Sequence, residues 1–114
     1  MDIIDKLFSL SNKVAIVTGA SGSIGKAISE TLLNAGASVI LVDIRKELLI
    51  KSTELYKSKR LNAEYFICDV TDKTALTKLV DYTENSHEKI DILVNCAGVT
   101  FTHELFDYPD ESWE

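Results

Sequence analysis

Cysteine is scarce in this sequence, with two residues, Cys68 and Cys96. Two cysteines make neither a disulfide framework nor a zinc pattern, and a reducing, cytoplasmic setting is expected. Proline occurs once, at Pro109, in a closing stretch (residues 99–114) that reads as a loop running toward a new helix. Positive charge is in deficit, with a formal net charge of −6 and no basic cluster longer than Lys57–Arg60. That balance argues against a nucleic-acid or anionic-membrane partner, and Lys57, Lys59 and Arg60 read as the solvated end of a helix. No apolar run approaches the length of a membrane span. The opening MDIIDKLFSL carries Asp2 and Asp5 where a secretory signal needs positive charge, so no such signal is expected. What remains is an ordinary globular composition, 46% hydrophobic and 26% charged, in 114 residues that make one domain or part of one.

Glycine is also sparse, with five residues, yet three of them, Gly19, Gly22 and Gly25, fall in VAIVTGASGSIG, residues 14–25. A β-branched run entering a glycine loop, with a helical pattern behind it, reads as strand, tight turn and helix. The glycines let an anion approach the main chain closely. The following helix aims its free N–H groups and positive dipole end at the same spot. In a βαβ setting the natural occupant of such a site is a dinucleotide pyrophosphate. The spacing is Gly-x-x-Gly-x-x-Gly rather than the general dinucleotide fingerprint, so the reading leans on matching signals at later strand ends.

Taken in order, residues 1–12 place Ile3, Ile4, Leu7 and Phe8 at near-helical spacing and are expected to cover one edge of the core. Strand one is Val14–Val17, apolar throughout as in a parallel strand covered on both faces. A helix from about Ser23 puts Ile24, Ala27, Ile28, Leu32 and Ala35 on one stripe, and Gly36 ends it. Strand two is Ser38–Val42, ending on Asp43. The next helix spans about Lys46–Lys57, with Leu48, Leu55 and the pair Glu47 and Lys51 at helical spacing. Strand three is about Glu64–Ile67. A helix starting at Thr71 or Asp72 presents Leu76, Leu79 and Val80, and strand four is Ile92–Val94. The resulting βαβαβαβ order predicts an α/β, Rossmann-type doubly wound parallel sheet, incomplete, with strand order 3-2-1-4. Ligands then bind at the carboxyl ends of strands one and four, where the winding reverses.

Asp43, at the end of strand two, is placed to accept hydrogen bonds from adenosine ribose hydroxyls, or is simply an exposed strand-end aspartate. Asp69 and Asn95 stand at the ends of strands three and four, suited either to an adenine contact or to capping and turn formation. Strands three and four lie three spacings apart in this order, roughly 14 Å. A disulfide needs Cα atoms within about 7 Å, so Cys68 and Cys96 are expected to stay unpaired. His87 and His103 stand without partners at ligand or triad spacing, and no metal site is expected.

Together these residues resemble the short-chain dehydrogenase/reductase family over nearly the whole chain. Thr18-Gly19-Ala20-Ser21-Gly22-Ser23-Ile24-Gly25 is similar to its cofactor loop, Asp43 to its ribose-binding acid, and Asp69-Val70 to its adenine-contacting pair. Asn95-Cys96-Ala97-Gly98, with the strand before it, is similar to its Asn-Asn-Ala-Gly motif. The resemblance implies a cofactor site of Gly19, Ser21, Gly22, Ser23, Ile24, Gly25, Asp43, Asp69, Val70, Asn95, Ala97 and Gly98. Two departures stand out: Ser23 and Gly22 exchange the family's commoner glycine position, as in the nucleotide-sugar branch, and Cys96 replaces an asparagine. The opening LFSLSNKVAIVTGAS resembles sugar-acid dehydrogenases of the gluconate type.

The family's catalytic tyrosine, with lysine four residues later, has no counterpart here. Tyr56, Tyr65, Tyr82 and Tyr108 are followed at that distance by Arg60, Asp69, Ser86 and Ser112. Residues 1–114 therefore read as the N-terminal dinucleotide-binding part of a single Rossmann-type domain, without catalytic residues and without turnover of their own. The implied parent reaction moves hydride between a nicotinamide cofactor and a carbonyl or alcohol, in a protein that is homo-oligomeric at full length. NAD is expected over NADP because Asp43 would face the 2′-oxygen, with Arg45 the one residue whose reach would offset that charge. Alternatives from other classes are a nucleotide-sugar epimerase or dehydratase, a methyltransferase, and a non-catalytic nucleotide-binding protein. Strand four is expected to be an uncovered edge that invites association.

Overall fold

Continuous apolar runs need cover on both faces, and the computed structural model, which describes residues 3–97 with the Asp5 side chain aside, provides it at the centre of the sheet. The elements are α1 (Ile3–Phe8), β1 (Val14–Thr18), α2 (Ser23–Asn34), β2 (Ser38–Asp43), α3 (Lys46–Ser58), β3 (Ala63–Ile67), α4 (Lys73–His87) and β4 (Ile92–Asn95). All strands are parallel, in the order β3-β2-β1-β4. The expected strand order and alternation are thus met, and the stretch after Ala97, including Gly98, His103, Tyr108 and Pro109, lies outside the described residues.

Alternate strand positions feed two cores, because successive side chains point to opposite faces. Ala15, Val17, Val39, Leu41 and Ala63 meet Leu33 of α2 with Leu49 and Tyr56 of α3 on one side. Val14, Ile16, Ile40 and Val42 meet Cys68 and Leu79 of α4 on the other. The sheet is doubly wound, with the reversal between β1 and β4. Among the described residues β4 pairs with β1 alone, and Leu93 is 60% exposed. The centre of the sheet is buried while this edge is not.

The helical phases differ from those expected. In α3 the inward residues are Leu49, Ser52, Thr53 and Tyr56, while Leu48 and Leu55 face water. In α2 the inward stripe is Gly25, Ser29 and Leu33, while Ile24 is exposed and Ile28 and Leu32 are half-buried. The reason is steric: small residues facing β1 let the α2 backbone come close to the sheet, so an apolar stripe one step round is displaced. In α4 Leu79 and Thr83 are buried and Val80 faces out.

The lead-in also departs from expectation. Ile3, Ile4, Leu7 and Phe8 of α1 are 63–72% exposed, so this short helix does not cover the core edge. Leu10 takes that seat, packing on the core while its N–H donates to the Ala35 carbonyl at 2.7 Å. Asn12, in the left-handed region at φ 67°, then turns the chain into β1. Gly36 ends α2 as expected, at φ 103° just past the last helical turn.

Of the two candidate caps for α4, Asp72 is the one used. Its side chain accepts from the N–H groups of Thr74 at 2.9 Å and Ala75 at 3.3 Å. Asp72→Ala is expected to cost about 1 kcal/mol, read as a fall of roughly 4–8 °C in Tm. An unchanged melt would mean that the cap contributes nothing.

Candidate functional site

The glycine loop is built by close backbone packing. Gly19 leaves β1 at φ 65°, and a Cβ there would lie 2.6 Å from the Ala97 nitrogen and the Cys96 carbonyl carbon. The loop closes through Gly22 N–H to the Gly19 carbonyl at 3.1 Å, and Ala20 N–H donates to Val42 at 3.1 Å. A side chain at Gly25 would run into the Gly19 carbonyl and come within 2.9 Å of the Ala20 Cα. Gly22 is different: a Cβ there would meet only the Gly19 oxygen at 3.5 Å and an Arg45 guanidinium nitrogen at 3.7 Å. Gly19 and Gly25 serve packing, and Gly22 keeps the mouth of the loop clear.

The start of α2 opens into this mouth with no side chain capping it, so its first N–H groups are available to an anion. Ser23 and Ile24 stand exposed at that turn. The Ser21 hydroxyl is buried with no hydrogen-bond partner, a cost that a ligand oxygen would relieve. An uncapped helix start, an open glycine and an orphaned hydroxyl fit a phosphate-bearing group.

Asp43 is joined to the same loop. Its Oδ2 accepts from the Ser21 N–H at 3.0 Å, and its Oδ1 from the N–H groups of Ile44 at 2.7 Å and Arg45 at 3.2 Å. The Arg45 guanidinium adds Nε to Oδ1 at 3.3 Å and Nη2 to Oδ2 at 3.1 Å. Asp43 is only 7% exposed. Burial pushes its carboxyl up, but the Arg45 guanidinium and the three N–H donors outweigh that and hold it below the ordinary value, so it is ionised.

On the other side of the loop Thr18 acts as a tie that sequence reasoning left out of the site. Its hydroxyl lies 3.3 Å from Asn95 Oδ1 and 3.4 Å from the Val94 carbonyl, and accepts from the Ala97 N–H at 3.4 Å. A hydroxyl ending the first strand, one residue before the loop, was the available signal. Gly19, Ser21, Gly22, Ser23, Ile24, Gly25, Asp43, Asn95 and Ala97 are therefore gathered at one sheet edge. Asp69 and the half-buried Val70 stand further out, past β3, with β2 between them and the loop. The Thr71 hydroxyl and N–H hold the Asp69 carboxyl below its ordinary value. Gly98 falls outside the described residues.

His87, expected to stand alone, pairs instead with Glu64, which also accepts from the Tyr82 hydroxyl. This cluster joins the end of α4 to the start of β3, at the opposite end of the sheet, and takes no part in the site. Cys68 and Cys96 are free thiols, and burial pushes the Cys68 thiol up. Among the described residues no group of three or more His, Cys, Asp or Glu is placed to hold a metal, and no helix is long and apolar enough to cross a membrane.

A parallel sheet wound in the order 3-2-1-4, with an open glycine loop and a strand-end acid at its switch point, defines a Rossmann-type nucleotide-binding fold. More narrowly, the chain belongs to the short-chain dehydrogenase family, whose model matches residues 13–114. It is 37% identical to an NAD-dependent glycerol dehydrogenase of Listeria innocua over 110 residues, 96% of this chain and 42% of the relative. It is 37% identical to the 2,3-dihydro-2,3-dihydroxybenzoate dehydrogenase of Bacillus subtilis over 92% of this chain and 40% of the relative. The crystal structure of 2-keto-3-deoxy-D-gluconate dehydrogenase from Streptococcus agalactiae matches with a TM-score of 0.75 and 37% identity, covering 93% of this chain and 40% of that one. The chain thus spans 40–42% of the length of these proteins.

Proposed function

We propose that this chain forms the dinucleotide-binding part of a nicotinamide-dependent oxidoreductase acting on a small alcohol or carbonyl compound, such as a polyol or sugar acid. The observation that carries the reading is the Ser21 N–H on Asp43 at 3.0 Å, which joins an anion-binding loop and a sugar-binding acid in one site. Gly19, Ser21, Gly22, Ser23, Ile24 and Gly25 hold the pyrophosphate, and Asp43 the adenosine ribose. Asp69 and Val70 border the adenine, and Asn95, Ala97 and Gly98 line the path toward the nicotinamide. The bound nicotinamide supplies or accepts hydride. Residues 1–114 contain no tyrosine with lysine four positions on, so proton transfer falls to groups outside them and this chain alone turns nothing over.

The glycerol and ketodeoxygluconate specificities named for the relatives support the polyol and sugar-acid class. NAD is favoured over NADP by the Asp43 carboxylate, and a reducing cytoplasm by the two free thiols. Among the described residues the outer edge of β4 is unpaired, which supports further pairing, and the full-length protein is read as a homo-oligomer that binds neither nucleic acid nor membrane. Fluorescence titration of the intact protein with NADH is expected to saturate, and more tightly than with NADPH. Saturation by S-adenosylmethionine with no response to either nicotinamide cofactor would overturn the reading.

A further inference from the structure

Asp43 is over-supplied with donors. A carboxylate offers about four lone-pair positions, and five N–H groups, from Ser21, Ile44, Arg45 and the Arg45 guanidinium, already converge on its two oxygens. A ribose hydroxyl therefore finds no free acceptor there until one of the five lets go. The three backbone donors are held by the glycine loop and by the turn after β2. The guanidinium is not: its side chain is 50% exposed, and it reaches Asp43 from the solvent side, beside the open face of Gly22. Only the guanidinium half of the pair is exposed, the Asp43 side chain being 6% exposed. The exchange is therefore cheap when an entering hydroxyl donates to the carboxylate as the guanidinium leaves for water.

We infer that Arg45 is a swinging counter-charge that covers Asp43 in the free protein, gives up the carboxylate to the entering ribose, and sets how strictly the site rejects a 2′-phosphate. The inference rests on the proposed cofactor site and deepens it. Once displaced, the guanidinium stays on a flexible tether a few bonds from the 2′-position. It can then offset part of the repulsion between Asp43 and a phosphate that carries about two negative charges. Planar, multi-donor geometry suits it to either anion in turn. A residue that merely braced the β2–α3 turn would weaken both cofactors alike.

The test is the ratio of the NADPH and NADH dissociation constants, measured by fluorescence titration on the intact protein and on Arg45→Ala and Arg45→Lys. Losing the cation leaves Asp43 unscreened against phosphate, so Arg45→Ala is expected to raise that ratio about tenfold, mostly through weaker NADPH binding. Arg45→Lys, which keeps the charge, is expected to stay within about threefold of the unmutated ratio. An unchanged ratio in Arg45→Ala, or an equal loss for both cofactors, overturns the inference and leaves the proposed function standing. Failure of the unmutated protein to bind either cofactor overturns both.

Discussion

Asp43→Ala is expected to abolish the preference for NADH over NADPH, lowering the ratio of their dissociation constants by about a hundredfold. The carboxylate sits at the end of β2 and is held ionised by its N–H donors and Arg45. Each ribose hydroxyl bond to a charged acceptor is worth about 1.5–3 kcal/mol. Against a 2′-phosphate the same group contributes a repulsion of a few kcal/mol at an effective dielectric near 20. Removing it also releases Arg45, which then has only the phosphate to pair with. A combined difference of ~3 kcal/mol corresponds to the stated hundredfold. The Ser21 N–H loses its acceptor in the variant, so a melting curve belongs beside the titrations, with Asp43→Asn as a version that keeps an acceptor oxygen. A folded Asp43→Ala protein that still prefers NADH would disprove the role given to Asp43. So would an unmutated protein that binds NADPH as tightly as NADH.

The second large effect is expected at Gly25. An alanine there drives its methyl group into the Gly19 carbonyl and to within 2.9 Å of the Ala20 Cα. Both obstacles are backbone, fixed by β1 and by the Gly19 turn, so no side chain can rotate away. Relief requires α2 to lift from the sheet, which opens the packing of Ser29 and Leu33, both buried. Overpacking of this kind costs about 3 kcal/mol or more, a fall of about 12 °C or more in the Tm of a domain of this size. Gly22→Ala is the control. Its methyl group meets nothing nearer than 3.5 Å and its backbone is in the extended region at φ −77°. It should fold normally yet bind NADH more weakly, because the methyl occupies the mouth where phosphate enters. Equal melting of the Gly25→Ala variant and the unmutated protein would show that the loop has slack not apparent in its geometry.

The sheet, and the gathering of the candidate site's residues at one edge of it, were legible because their causes are local. Residues 14–17 and 39–42 are unbroken apolar runs, and residues 14–18 and 39–43 are all buried. Such a run is what a parallel strand covered on both faces calls for, and the flanking glycine loop and helical patterns favour that reading. The spacing of Gly19, Gly22 and Gly25 similarly reflects a turn whose constraints lie within a few residues. Asp43 could be placed because the end of an apolar run marks the end of the strand. The direction of winding followed from the handedness of βαβ crossovers, which depends on no particular side chain.

Tertiary structure alone decided how the elements turn about their axes and which polar groups meet. The choice of Leu49 and Tyr56 over Leu48 and Leu55 as the inward face of α3 depends on where β2 and β3 place their side chains. Periodicity describes a stripe but not which neighbour it must fit. The pairing of Glu64 with His87 joins residues on different elements. Nothing near either residue in sequence announces it, because the contact exists only after α4 has crossed back over the sheet. Arg45 and Asp43 are two residues apart, and the sequence named Arg45 as within reach. Their actual pairing, and its saturation by Ser21 from the glycine loop, depended on β1 and β2 lying side by side. Parallel pairing brings the ends of these two strands together, and that is what sets the glycine loop beside a distant acid.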